Sequence, residues 1–474
     1  MELISKILNI PEETQTIEFK RLNGEKIVSK IIQTIVAMAN TDGGVIIFGV
    51  EDPEKTKLKG LDRVFGIEEN KEIYDEIFHE IKNIIPPISN LIPDLINVEE
   101  GKTIALFNIP KATESFFSIN NEIFVRLHKS NKKLTPYEVV KLNYAKGFEK
   151  ADKELVDIDF KLLQTSYFED WRKARNISNE KIEDILFQTG LARKDENSKL
   201  KPTRAAVLLF AQFPTDLMET KCAVRVYKYE GNIEKFQKVP NLIGKPKTIS
   251  GPIIKLIKDS HEYILSILES GIEIHSGFVT KYKIPERAVK EVITNAIIHR
   301  DYHLQRDIEI KIFEDRVEIL SPGLFPYNIT KSNIGNVRAD GYRNDLIVKH
   351  LREFSDPPNL DRNEGVQAMR NEMNKQNLFP PIFVTYPFIE DSVEVSLLNE
   401  ERPGEWDKVY EYLKNNKFID NQTAREITNI IQVDKMSKLF KKWLKQDLII
   451  RVPSDLKIKK SVRYKLSNQI DISL

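Results

Sequence analysis

Cysteine is nearly missing: one, Cys222, stands among 474 residues. That excludes a disulfide framework and a cysteine-ligated zinc site, and it suits a reducing compartment. No apolar run approaches the ~20 residues a membrane span needs. The opening MELISKILNIPEET has no basic stretch followed by an apolar one, so it is not read as a secretory signal. The expectation is a cytoplasmic chain without membrane contact. Net charge is also nearly absent, since 72 Lys and Arg meet 71 Asp and Glu and leave +1. A nucleic-acid footprint must therefore be local. Repeats and low-complexity tracts are missing too.

What remains is a chain of ordinary hydrophobic content, long enough for roughly three domains at ~100–200 residues each. Composition breaks at the charged stretch Gly147 to Asp157, at Ile284-Pro285-Glu286, and at the polar linker Glu400 to Gly404. Residues 1–146 read as α/β: Ile27, Ile31, Ile32, Ile35, Val36 and Ala39 recur at helical spacing. A turn follows at Asn40-Thr41-Asp42-Gly43-Gly44, then a buried strand from Val45 to Val50. Residues 150–280 form a linking α/β stretch, with helices near 177–190 and 251–270 and a strand from Ala205 to Phe210. Residues 281–400 open on a helix from Pro285 to His299, with Pro285 suited to its first turn. Paired strands from Ile308 to Phe313 and from Arg316 to Leu320 come next. Residues 401–474 run helix, helix, helix, β-hairpin, the winged helix-turn-helix order. The fold class expected is multidomain α/β (α+β).

The first constellation is acidic. Glu13 and Glu18 stand five residues apart before Phe19-Lys20. Ala37-Met-Ala-Asn-Thr-Asp-Gly-Gly44 and Gly49-Val-Glu-Asp52 follow. With Phe124-Val-Arg126 and Leu134-Thr-Pro-Tyr-Glu138, this spaced set resembles the AlbA-like domain of the Schlafen family. The resemblance spans about the first 140 residues. In Schlafen ribonucleases three carboxylates hold a divalent metal, and Glu13, Glu18 and Asp52 match those positions. Hard oxygen ligands suit Mg²⁺ or Mn²⁺, which can activate water and stabilise charge on a phosphodiester. Lys20, two residues from Glu18, shares its strand face and is expected to hold a substrate phosphate. Basic residues Arg126, His128, Lys129, Lys132 and Lys133 are read as support for nucleic-acid binding here. The bland alternative is that these acids and bases are solvated surface groups.

The second constellation is Glu291, Asn295 and His299, four residues apart on one face of an otherwise apolar helix. With Thr203 to Phe210, Ser321-Pro-Gly323 and Arg343-Asn344, it resembles the GHKL ATPase fold in the branch of RecG-like ATP-binding regulators. That likeness makes Glu291 the base that polarises water and Asn295 an amide ligand to Mg²⁺ beneath ATP phosphates. The pattern departs from the family where it matters. Ser321 takes the place of the adenine-binding aspartate. The glycine-rich lid shrinks to Asn363-Glu364-Gly365-Val366, and Glu364 would repel phosphate. Ser321, Gly323 and Gly365 complete the expected nucleotide site; Gly335 and Gly341 are further amide donors. Binding without efficient hydrolysis, or a GHKL-shaped structural module, is the reading. His79, His261, His275 and His350 lack ligand spacing and are read as structural.

The third is basic. Between Lys435 and Leu466 eleven Lys or Arg face two acids, Asp447 and Asp455, in a chain whose net charge is +1. Met436, Leu439, Phe440, Trp443 and Leu444 make one helix face; Lys435, Lys438, Lys441, Lys442 and Lys445 make the other. Lys459, Lys460 and Arg463 belong to a wing tip over Lys457 to Arg463. Many lysines imply phosphate contact more than base readout.

Together these give a metal-dependent Schlafen-type endonuclease acting on RNA or DNA, RNA favoured, under a nucleotide-binding-like domain. A homo-oligomer is expected, and the family suggests antiviral defence. The competing reading is a non-catalytic DNA-binding regulator with a ligand sensor.

Overall fold

The computed structural model describes all residues except 1, 25, 90, 179–180, 219, 236–240, 274–278, 359–364, 387, 417, 453–461 and 468–474. It divides into two compact units, Met1–Asn143 with Gly404–Leu474, and Tyr144–Pro403.

In the first unit the described residues form a four-stranded sheet in the order Ile17–Lys20, Gly44–Phe48, Lys102–Ile109, Asp94–Glu99. The first two strands are parallel and the other pairings antiparallel. A parallel pair needs a crossover, and the helix Ile27–Ala39 supplies it, over the expected residues. Its apolar positions Ile31, Ile35 and Val36 pack with Ile46, Phe48 and Phe107 of the sheet. The strand expected from Val45 to Val50 forms one residue earlier and ends at Phe48.

The turn between helix and strand is sterically committed. Gly44 has φ +143°, and a Cβ there would lie 2.3 Å from the Thr16 carbonyl oxygen. Asn40, wholly buried, donates from Nδ2 to the carbonyls of Phe117 (2.8 Å) and Phe124 (2.9 Å), and its Oδ1 accepts the Phe117 N–H at 2.8 Å. Thr41 Oγ1 accepts the Arg126 N–H at 2.7 Å. Two polar side chains thus fasten the distant strand Phe124–Leu127 to the helix end.

Residues 404–474 follow the expected order. Helices Gly404–Asn415, Asn421–Thr428 and Val433–Lys445 precede strands Ile449–Arg451 and Arg463–Leu466, and Ile419–Asp420 adds a third strand to that pair. Asp420 caps the second helix by accepting the Thr423 N–H at 2.9 Å. Trp443 packs edge-on against Trp406, centroids 5.1 Å apart, and Phe440 stacks on Tyr464 at 4.2 Å.

The second unit holds a six-stranded sheet in the order Lys247–Ile249, Val224–Lys228, Ile308–Ile312, Arg316–Pro322, Ser392–Leu398, Ile382–Val384. Val224–Lys228 pairs in parallel with Ile308–Ile312. The stretches 150–280 and 281–400 therefore share one sheet, and their apolar side chains form one core running from Ala151 to Leu397. The helix Glu286–His299 begins after Pro285, as expected. The strand expected from Ala205 to Phe210 is instead a helix, Arg204–Phe210. Thr203 caps it, Oγ1 accepting the Ala206 N–H at 3.3 Å. Every residue from Ala205 to Phe210 is buried, so the run carries no amphipathic period to separate helix from strand.

Asn40→Ala should lower stability by about 2–3 kcal/mol, because it leaves the Phe117 and Phe124 backbone groups buried without partners. Urea denaturation followed by circular dichroism reads this, and an unchanged midpoint would show that water replaces the amide.

Candidate functional site

Glu18 and Lys20 lie in the strand Ile17–Lys20, whose register sets Lys20 beside Phe48 of its parallel neighbour. Asp52 follows that neighbour by four residues, so all three stand at the C-terminal ends of the parallel pair. Glu13 precedes the first strand and turns its Oε1 to accept the Phe19 N–H at 3.0 Å. Glu13, Glu18 and Asp52 are each no more than 5% exposed.

Three cations enter the same crevice. Lys20 Nζ pairs with Glu18 Oε1 and lies 3.7 Å from Glu13 Oε1. Arg126 Nη2 donates to Glu18 Oε2. Lys55 Nζ is 3.0 Å from Asp52 Oδ2, while Asp52 Oδ1 accepts the Glu54 N–H at 3.0 Å. Burial raises the pKa of Glu13 most, the Glu18 charge raises it further, Lys20 opposes this, and Asp52 adds a smaller upward push. Glu13 thus feels the charge of both other carboxylates.

The donors have the chemistry of a divalent-cation site, hard oxygens gathered at one place. The Lys20 ammonium already stands between Glu13 and Glu18, where a cation shared by them would stand. No three His, Cys, Asp or Glu side chains among the described residues converge closely enough to hold a metal. As they stand, the residues do not fit such an ion.

The basic cluster expected on this domain is a correction. Arg126 is 1% exposed and is committed to Glu18 and to Asn131 Oδ1 at 2.9 Å. Lys129 pairs with Glu12 (2.9 Å) and Glu54 (2.5 Å), Lys132 with Glu138 (2.6 Å), and Lys133 with Glu122 (2.5 Å). A run that looks basic in sequence is paired with acids, near in the chain for Lys132 and Lys133 and distant for Lys129. Arg126 was legible as a basic residue for nucleic acid and not as the partner of Glu18, and Lys55 was not legible as a site residue. Arg126 had a signal in its Phe-Val-Arg motif, Lys55 had none.

In the second unit, Glu291 and Asn295 share a helix face and meet Gly365. A Cβ on Gly365 would lie 2.7 Å from Glu291 Oε2 and 3.2 Å from Asn295 Nδ2. Asn363 and Glu364 lie outside the described residues. Ser321 turns inward, its hydroxyl donating to the Ala296 carbonyl at 2.9 Å. Gly323 has φ +108° and lies under the Arg343 guanidinium, which bonds the Ala145 and Leu324 carbonyls; its N–H donates to Asp391 O at 2.7 Å. Glu291, Asn295 and Gly365 therefore come together, while Ser321 and Gly323 are engaged in packing. His299 stacks on Tyr342 (centroids 5.5 Å apart), and burial, then the Arg343 charge, push its pKa down to about 4. His261 and His350 are bonded within the unit, at 3.0 Å to Thr294 Oγ1 and 2.9 Å to Glu353 Oε2. His275 lies outside the described residues.

On the helix Val433–Lys445, Met436, Phe440 and Trp443 are buried, while Lys435, Lys438, Lys441, Lys442 and Lys445 are exposed. The amphipathic reading holds. Lys435 lies 3.9 Å from Glu405. Arg463 is exposed, with its guanidinium 5.6 Å from the centre of the Phe418 ring. Lys459 and Lys460 lie outside the described residues. Lys465 pairs with Glu12 and leaves the basic footprint.

Comparison with known proteins agrees with the motifs. Residues 13–135 match the family model described as "Schlafen, AlbA_2", and residues 305–397 match "Putative ATP-dependent DNA helicase recG C-terminal". Both fall on the family that the motifs resemble, and they tie the chain to nucleic-acid-related function. No curated protein matches. A crystal structure of the DIP2311 protein from Corynebacterium diphtheriae is 17% identical, with 96% of this chain and 80% of that chain covered at a TM-score of 0.39. No helix among the described residues is long and apolar enough to cross a membrane.

Replacing Lys438, Lys441, Lys442 and Lys445 by Ala should weaken nucleic-acid affinity for every sequence and flatten its salt dependence by up to about four in slope. Fluorescence anisotropy over a salt series checks this; an unchanged slope would place the contact elsewhere.

Proposed function

We propose that this protein is a divalent-metal-dependent nuclease of the Schlafen type, with RNA its favoured substrate. The carrying observation is three buried carboxylates, Glu13, Glu18 and Asp52, gathered with Lys20 at one end of a parallel strand pair. The matched Schlafen region, 13–135, contains all four. When bound by these carboxylates, Mg²⁺ or Mn²⁺ would polarise a phosphoryl oxygen and acidify a bound water.

The chain's own residues have separable tasks. Arg126 orients Glu18. Glu13, whose proton affinity burial and neighbouring charge have raised, can take a proton at the oxygen that does not bond Phe19. Lys20 offers its ammonium to the phosphate under attack. The exposed lysines of the helix Val433–Lys445, read as the recognition helix of a winged helix, supply sequence-independent affinity. The helix carrying Glu291 and Asn295, with Gly365 against both, is the candidate place for ATP and its Mg²⁺, in a sensing role. A nuclease governed by such a sensor suits antiviral defence in the cytoplasm.

A second reading has one observation in its favour. Lys20, Arg126 and Lys55 neutralise the acidic crevice without any metal, as in a DNA-binding regulator that cuts nothing.

Changing Glu13, Glu18 or Asp52 singly to Gln or Asn should lower cleavage at least about a hundredfold, since the stabilisation lost belongs mainly to the transition state. Binding in EDTA should hold or rise. Lys20→Ala should lower both. Gel assays on RNA and single-stranded DNA with Mn²⁺, beside binding curves, test this. Wild type that cuts nothing, with or without ATP, would favour the regulator.

Any ATP affinity should require Mg²⁺ and fall in Asn295→Ala. Calorimetry that shows no heat from wild type with any nucleotide would leave the second unit a structural module.

A further inference from the structure

The helix Val433–Lys445 changes character along its length. Its lysines line the exposed face from Lys435 onward, but the turn that leads into it is apolar. Ile431 is 88% exposed and Val433 54%, with exposed Gln432 between them. Ile431 is the most exposed large apolar side chain among the described residues, although Ile430 beside it is buried. This tip is braced. Arg425 Nη1 donates to the Ile431 carbonyl at 3.1 Å, and Asn421 Nδ2 to the Val433 carbonyl at 3.3 Å. Both donors belong to the preceding helix, Asn421–Thr428, and Arg425 Nε bonds Asn421 Oδ1 at 3.1 Å. Asn421 also donates to Ser437 Oγ at 3.0 Å. One network therefore holds two apolar side chains out in water, where they gain nothing for the fold and gain only on contact with an apolar partner.

The lysines narrow the choice of partner. Lys438, Lys441, Lys442 and Lys445 lie along about 10 Å of helix beyond the tip. A partner must present anions along the helix and a small apolar group at its start. Duplex DNA does both: phosphates flank the major groove, and the thymine C5 methyl projects into it. A recognition helix enters that groove with its N-terminal residues on the base edges. Duplex RNA fails twice, because its major groove is too deep and narrow for side chains and its uracil has no methyl. Gln432 is of the residue type that pairs with adenine N6 and N7. Asp434, also exposed, would repel a phosphate but can accept from the cytosine amine. Resting on the reading that this helix contacts nucleic acid, we infer that Ile431, Gln432 and Val433 read A·T pairs of duplex DNA, the two apolar side chains against thymine methyls and Gln432 on adenine. The lysines hold any sequence; the tip decides which sequence is held longest.

The test is selection from a pool of random duplex DNA by the full-length protein, followed by fluorescence anisotropy on the enriched duplex. Wild type should enrich a motif containing thymine. Replacing its thymines by deoxyuridine, which removes only the methyl, should weaken binding about fourfold for each methyl contacted. The same sequence as duplex RNA should bind no better than unselected nucleic acid. Ile431→Ser with Val433→Thr should bind the thymine and deoxyuridine duplexes equally, yet keep wild-type affinity for unselected DNA, since its lysines are intact. Ile431→Leu, which keeps the tip apolar, should retain the preference for thymine, and equal melting temperatures guard against a folding defect. No enriched motif, or a thymine preference that survives in the double variant, overturns the readout. If unselected DNA still binds and binding falls with the four lysines, the basic helix remains a sequence-independent contact and its tip is left for a protein. No binding of wild type to any nucleic acid overturns both.

Discussion

A guanidinium and a carboxylate buried against each other, Arg126 on Glu18, set the terms for the N-terminal domain. Stripping two such groups of water costs several kcal/mol each unless geometry and further hydrogen bonds offset it, and removing one partner alone typically costs about 3–5 kcal/mol. The surroundings are arranged accordingly. Thr41 holds the backbone of Arg126, Asn131 takes a second guanidinium nitrogen, and Asn40 anchors the start of the same strand. Glu18 in turn fixes where Lys20 can go. The Asn-Thr pair that ends the long helix is thus explained by what it holds in place: the strand that delivers Arg126 to the crevice.

The second unit faces the same problem with a different answer. Arg343 is buried, donates to the backbone carbonyls of Ala145 and Leu324, and lies where Gly323 has no side chain. Burial lowers its pKa to about 10, with the Asp301 charge acting in the opposite sense. Asn344 beside it donates to the carbonyls of Ile298 and Arg300, closing the C-terminal end of the Glu286–His299 helix. Residues that looked like parts of a nucleotide site in sequence, Gly323 and the Arg-Asn pair, hold this helix and the sheet together. Glu291 and Asn295 project from the helix so held.

Much of this was legible before the structure. The helix Ile27–Ala39 and the helix after Pro285 were readable because each has a one-sided apolar period and a hard stop. The C-terminal helix declared both faces. The segment Ala205 to Phe210 was not readable, since a run buried on all sides looks the same as helix or strand. The acidic set and Lys20 were found through their spacing, but Lys55 and the pairing of Arg126 with Glu18 were not. Arg126 lies 108 residues from Glu18 in the chain, and no local pattern encodes such a pairing. For the same reason Lys129, Lys132 and Lys133 read as a basic patch, although each meets an acid that sequence proximity alone would not assign to it.

That 108-residue separation bears on how the protein is made. Translation is vectorial, and domains fold as their last strand emerges. Glu18 is made 108 residues before Arg126, so the pair cannot form until the Phe124–Leu127 strand has followed and Asn40 and Thr41 can hold it. A nascent chain, held beside messenger and ribosomal RNA, therefore carries the acids of the crevice long before it carries the crevice. Its basic helix, Val433–Lys445, emerges later still. The order of residues along the chain is itself a delay, since the acids of the crevice are made before the strand that pairs them and before the basic helix.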